Sequence, residues 1–149
     1  MKAVVCRSYG SPDVLKIEEV EKPTVSEDGV LVRVHASSVN PVDWYGMVGL
    51  LIARGVNGLF KPKDPRIGAD FAGIVEAVGS KVTHLNPGDE VYGGRNGAFA
   101  EYVNVVNAVV CKPANVSFEE AAAVPTAAIT ALQGLRDHGK IQAGQKVLI

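Results

Sequence analysis

Apolar and polar positions alternate with a period of two through much of the first half of the chain. After Gly29, residues 30–36 place Val30, Val32 and Val34 on one face and Arg33 and His35 on the other. That period marks a half-buried β-strand with the valine face toward a core. Residues 14–20 alternate partially and stop at Pro23, and residues 1–9 form another expected strand closed by Gly10-Ser11-Pro12. Further on, residues 70–79 read as a strand and Asn86-Pro87-Gly88-Asp89 as a turn, because proline presets φ and glycine accepts positive φ. A short strand over residues 90–92 and a β-rich stretch over residues 98–110 follow. Short strands at this spacing, punctuated by turns, predict an all-β barrel.

The pattern changes period after Pro113. Ser117-Phe118-Glu119-Glu120 has the form of a capping box, and three alanines continue it. Pro125 breaks that helix, and a second is expected over residues 126–138, with Ile129, Leu132 and Leu135 on one face and Gly139 as its stop. The run Lys146-Val147-Leu148-Ile149 then has the composition of a buried parallel strand. Between the two β stretches, residues 41–52 suggest a short helix with proline first, and residues 53–68 a long loop of the kind that serves as a lid or binding loop.

Composition narrows the class. The chain has 149 residues, a formal net charge of -1 and no block of like charge, so nothing marks it for nucleic acid. No apolar run approaches a membrane span, and the N-terminal apolar run is too short for a signal peptide, so a cytoplasmic protein is expected. Cys6 and Cys111 cannot form a disulfide framework and, lying in apolar stretches, are expected to be buried thiols.

Three chemistries can be tested. Gly93-Gly94-Arg95-Asn96-Gly97 is glycine-rich, but a strand pattern follows it and not a helix, so it fails as a dinucleotide loop. His35, His84 and His138 stand alone, without the convergent ligands that zinc needs. The stretch Ser37-Ser38-Val39-Asn40-Pro41-Val42-Asp43-Trp44-Tyr45 lies where a strand gives way to a helix, a common place for function. There Asn40 and Tyr45 can hydrogen-bond a substrate, while the structural alternative makes Asp43 an early-helix acid and Trp44 a core residue.

Six segments carry a family resemblance, in this order: Val39-Asn40-Pro41-Val42-Asp43-Trp44-Tyr45; Gly68-Ala69-Asp70-Phe71-Ala72-Gly73-Ile74-Val75; Gly88-Asp89-Glu90-Val91-Tyr92-Gly93; Gly97-Ala98-Phe99-Ala100-Glu101-Tyr102; Phe118-Glu119-Glu120-Ala121-Ala122-Ala123-Val124-Pro125; and Thr130-Ala131-Leu132. Together they resemble the medium-chain dehydrogenase/reductase superfamily, in its zinc-independent quinone-oxidoreductase branch. The resemblance implies a mainly β fold with C-terminal helices, a GroES-like partly open β-barrel. It assigns residues 1–124 to the GroES-like catalytic domain. Residues 125–149 become the linking helix and first strand of a truncated Rossmann nucleotide-binding domain. A cut before the glycine-rich loop is therefore expected.

By the same resemblance, NADPH (or NADH) passes a hydride to a quinone, enone or aldehyde-type substrate. Asn40 and Tyr45 would face nicotinamide and substrate and supply hydrogen bonds to a developing enolate or quinolate oxygen. Thr126 and Thr130 would contact the cofactor, with Asp43 behind them. Asn40, Ala69 and Thr126 stand where zinc-dependent members hold their metal, a set that makes no zinc site, since alanine has no donor atom. Members dimerise through the Rossmann sheet, which implies a homodimer for the longer protein. Two other readings stay open: a stand-alone GroES-like binding module, and a zinc-type alcohol dehydrogenase domain.

Overall fold

The computed structural model describes residues 1–148. Two antiparallel sheets form its frame. The smaller pairs β1 (Lys2–Cys6) with β2 (Leu15–Glu19), in a register that sets Val4 opposite Ile17. The larger has five strands: β3 (Val30–Ser38), β4 (Asp70–Val78), β5 (Glu90–Gly94), β6 (Tyr102–Val105) and β7 (Val109–Cys111), in the spatial order β6-β3-β4-β5-β7. Isolated bridges from Ala3 to Ala100 and from Val5 to Arg66 tie the small sheet to the connections around the large one. The strands curl toward a barrel without closing it.

Valine dominates the core of the five-stranded sheet. Val30, Val32, Phe71, Val75, Val91, Val103 and Val105 form one buried cluster. The expected valine face on β3 is there, with Val34 only partly buried. Leu31 is buried as well, because a register shift between Leu31 and Val32 interrupts the alternation. Gly88 turns the chain from β4 toward β5 with φ of 97°, and the Asp89 N–H donates to Asn86 O at 3.1 Å. Cys6 is buried as expected. Cys111 is exposed, at the end of an edge strand with a neighbour on one side only.

Helix α1 (Pro41–Val48) starts on proline, as its sequence predicts, and stops at Gly49, whose φ of 68° is the left-handed region glycine tolerates. The long loop expected over residues 53–68 is corrected in its first part. A second helix, α2 (Leu51–Asn57), occupies it and turns its polar side inward. Arg54 Nε donates to Gly49 O at 2.6 Å, and Asn57 Oδ1 accepts from the Asp64 N–H. Leu51, Ile52 and Val56 point outward, each more than 80% exposed.

Ser117 caps α3 (Phe118–Ala122) through the predicted box, accepting from the Glu120 N–H while Glu120 accepts from the Ser117 N–H. Ala121 and Ala122 lie flat on Ala72 of β4, so small side chains bring α3 close to the sheet. Helix α4 (Pro125–Leu132) starts at Pro125, one residue earlier than expected, and widens into a π-helical turn over Gln133–His138 before Gly139. Its expected apolar face is half exposed at Ile129 and Leu132. Residues 145–148 form no strand, for which a hydrogen-bonding neighbour is required. The last residue of that expected strand, Ile149, lies outside the described residues. Among the described residues, no helix is long and apolar enough to cross a membrane.

Candidate active site

Asp70 begins β4 and is only 1% exposed. A carboxylate can only accept, so a buried one needs donors on every side. Asp70 has four. Its Oδ2 accepts from Asn40 Nδ2 at 3.1 Å, Ser38 Oγ at 3.3 Å and the Thr126 N–H at 3.0 Å. Its Oδ1 accepts from Thr126 Oγ1 at 2.7 Å. The donors come from the end of β3, the start of α1 and the start of α4. One side chain therefore ties the adjoining β3 end and α1 start to α4, each at least 30 positions from Asp70 in sequence.

Asn40 precedes α1 and is held on both sides. Its amide nitrogen donates to Asp70 and, at 3.0 Å, to Ser38 Oγ. A capping box joins it to Asp43, whose Oδ2 accepts from the Asn40 N–H at 2.7 Å. Both amide hydrogens are thus committed to the protein. Asp43 itself is buried, and burial pushes its carboxyl above the usual carboxylate range. The nearby Asp70 charge adds to that rise, while backbone N–H groups of Asn40, Gly68 and Ala69 oppose it.

Two cavities meet at this point. The first, of about 590 Å³, has Asp43, Ala69, Arg66 and Arg95 in its wall. The second, of about 660 Å³, is more apolar and is bounded by Val124, Ile129, Thr130 and Leu132. Asp70, Gly94, Ala108 and Thr126 belong to both. The expected site residues therefore separate into groups. Asn40, Asp43 and Thr126 gather around Asp70. Thr130 sits one turn along α4, with its hydroxyl donating to Thr126 O at 2.6 Å, and faces the second cavity. Tyr45 stands apart: it is 44% exposed, packs edge-on against Trp44 and lines neither cavity. Trp44 is half exposed and not core.

Sequence reasoning passed over Asp70 as one letter of a motif. The available signal was an acid opening a strand that is otherwise apolar for several residues, Phe71-Ala72-Gly73-Ile74-Val75. Such an acid must be paired or hydrogen-bonded once the strand is central. Among the described residues, no three His, Cys, Asp or Glu side chains converge as metal ligands.

A family model described as the alcohol dehydrogenase GroES-like domain matches residues 26–115, more than half the chain. The chain belongs to this family. It falls within the quinone-oxidoreductase-like branch of the medium-chain dehydrogenase/reductase superfamily. A 2-methylene-furan-3-one reductase of Solanum lycopersicum is 40% identical over all of this chain and 40% of its own length. An NADPH-dependent alkenal/one oxidoreductase of Arabidopsis thaliana, chloroplastic, is 38% identical, again over the whole chain and 40% of that protein. The structure of the quinone oxidoreductase from Coxiella burnetii superposes with a TM-score of 0.85 at 34% identity, covering 96% of this chain and 46% of that one. The chain thus spans about two fifths of the length of these curated relatives.

Proposed function

We propose that this chain is the N-terminal catalytic part of a zinc-independent oxidoreductase that transfers hydride from NADPH to an activated alkene or a quinone. The observation that carries this reading is similarity, along the whole length of the chain, to relatives described as an NADPH-dependent alkenal/one oxidoreductase and a 2-methylene-furan-3-one reductase. In this reading residues 1–124 form the catalytic domain and residues 125–149 lead into a nucleotide-binding domain.

The residues at the cavity junction suit one end of a dinucleotide. The second cavity offers Val124, Ile129 and Leu132 to the face of a flat ring, with Thr126 and Thr130 at its edge. Nothing in the Gly93–Gly97 stretch suits a pyrophosphate, because Gly93 and Gly94 belong to β5 and no helix follows. NADPH, when bound, supplies the hydride. The chain's own contribution is alignment: Asp70 holds Asn40 and Thr126 rigidly, and such fixed geometry is what hydride transfer needs most. The Tyr45 hydroxyl, which makes no hydrogen bond among the described residues, is the donor available to a developing enolate or quinolate oxygen once substrate brings the two together.

The test is NADPH oxidation by a protein that continues this chain through a nucleotide-binding domain, assayed against a panel of enones and quinones. Turnover with at least one class is expected, with Tyr45→Phe slowed by about 10- to 100-fold. A folded long protein that turns over neither class would sink the proposal.

A further inference from the structure

Exposed apolar side chains are concentrated in one place. Leu50, Leu51, Ile52, Val56, Leu59 and Phe60 are all exposed, on α2 and the residues that flank it. Single exposed apolar residues are ordinary, whereas a contiguous cluster marks a surface that meets something other than water. None of the six lines either cavity at the Asp70 junction. Leu51, Ile52, Val56 and Phe60 are each more than 80% exposed, so they stand clear of the surface rather than line a groove.

The charge beside this cluster has one sign. Residues 44–63 contain no Asp or Glu and three cations, Arg54, Lys61 and Lys63. Arg54 is turned inward, onto Gly49 O and the Tyr9 ring. Lys61 and Lys63 are exposed and form no ion pair among the described residues. The next acid, Asp64, is held by Arg66. A short apolar ridge edged by free lysines has the makeup of an interfacial membrane-binding element: apolar side chains enter the acyl boundary and lysine stems reach back to the phosphates. A second copy of the chain fits worse. A two-fold contact sets a patch against itself, which would bring Lys61 and Lys63 toward their own copies.

We propose that α2 and residues 59–63 form a docking surface for an anionic lipid bilayer. Leu51, Ile52, Val56 and Phe60 enter the headgroup boundary, and Lys61 and Lys63 pair with lipid phosphates. With seven residues, α2 rises only about 10 Å, so it lies in the interface and does not cross it. Asn57, which ends α2, and Pro62 also line the first cavity, so a docked chain holds that cavity close to lipid. Delivery of an apolar quinone or enone from the bilayer rests on the reading above; the docking itself does not.

The experiment is co-sedimentation of the 149-residue chain with vesicles of phosphatidylcholine alone, or with about one third phosphatidylglycerol. Binding ten-fold or more tighter to the anionic vesicles is expected. Lys61→Gln and Lys63→Gln should each weaken that binding about five-fold and leave the neutral vesicles unaffected. The double variant Ile52→Ser, Phe60→Ser should lose ten-fold or more, with an unchanged urea midpoint showing that the fold is intact. Equal binding to both vesicles, no binding to either, or full binding by the double variant would each overturn the proposal. So would a lipid-free dimer that the double variant dissociates, since the face would then belong to a second copy. A protein that continues the chain through a nucleotide-binding domain should keep the same preference. Its loss there would mean that the added domain covers α2, and would equally overturn the proposal. Turnover is read separately: docking without turnover discards only hydride transfer, and turnover without docking discards only this surface.

Discussion

Asp70 is a charge in the interior with four donors around it, whereas Leu51, Ile52 and Val56 are apolar side chains standing in water on α2. Both depart from the usual inside–outside arrangement, in opposite directions. The buried acid is satisfied entirely from within the chain, so removing it should be costly. The exposed apolar face has no partner among the described residues, so altering it should cost the folded chain almost nothing. The difference separates polar groups that hold the structure together from apolar groups the structure does not use.

The largest effect should come from Asp70→Ala. It strands the Asn40 amide hydrogen and the Thr126 N–H in a half-buried setting, where an unsatisfied group costs up to about 1–3 kcal/mol. A total loss of about 3 kcal/mol is expected in urea unfolding, with α1 and α4 loosening together because both depend on that carboxylate. A loss under 1 kcal/mol would show that the four hydrogen bonds do not act as a unit. Thr126→Val should follow at about 1–2 kcal/mol, since it removes the Oγ1–Oδ1 bond and keeps the backbone N–H donating. Rescue by Thr126→Ser would tie the loss to the hydroxyl.

Acid titration sharpens the comparison within the site. The Arg66 guanidinium holds the Asp64 carboxyl below its ordinary value of 3.8, against partial desolvation. Its stabilisation is present above that value and is lost as pH falls through the lower, folded-state value. Asp43 behaves oppositely. Burial raises its folded-state value, so its contribution is full below 3.8 and is lost as pH rises through the raised value. Unfolding free energies measured from neutrality down to about pH 3 should separate the two. Asp64→Asn should lose less stability on acidification than the parent, and Asp43→Asn should lose more, because the offsetting gain is gone. The same slope in all three proteins would remove both assignments.

What was legible in the sequence was local. The Asn86–Asp89 turn, the Ser117–Glu120 capping box and the strand at residues 70–79 each depend on residues within a few positions of one another. The Asp70 cluster depends on Ser38, Asn40 and Thr126, which lie 32, 30 and 56 positions away, and no periodicity encodes such a meeting. Family resemblance put Asn40 and Thr126 on the same short set of residues, Asn40 as a hydrogen-bond donor to ligand and Thr126 as a cofactor contact, but it gave no sign that both would donate to Asp70. Tyr45 was grouped with Asn40 because both lie where a strand gives way to a helix and both can hydrogen-bond, yet Asn40 is tied to Asp70 while Tyr45 packs on Trp44 and is 44% exposed. Helix α2 was hidden by Gly55 and Gly58, which together with Pro62 and Pro65 read as a loop.

The smallest effect is expected on α2, and there a null result is the informative one. Leu51 and Ile52 are 86% and 87% exposed, so little of their apolar surface leaves water when the chain folds. Replacing either by serine sacrifices almost no burial and should change unfolding free energy by less than about 0.5 kcal/mol. The polar side of the same helix should respond differently. Arg54 Nε donates to Gly49 O at 2.6 Å, and its guanidinium lies 4.8 Å from the Tyr9 ring centroid, so Arg54→Ala removes contacts that fix α2 against the rest of the chain. A cost of about 1 kcal/mol is expected there, above that of either serine variant. Should Leu51→Ser cost more than Arg54→Ala in the same urea series, the helix would have to pack apolar side inward in solution. The contrast with Asp70 would then be lost.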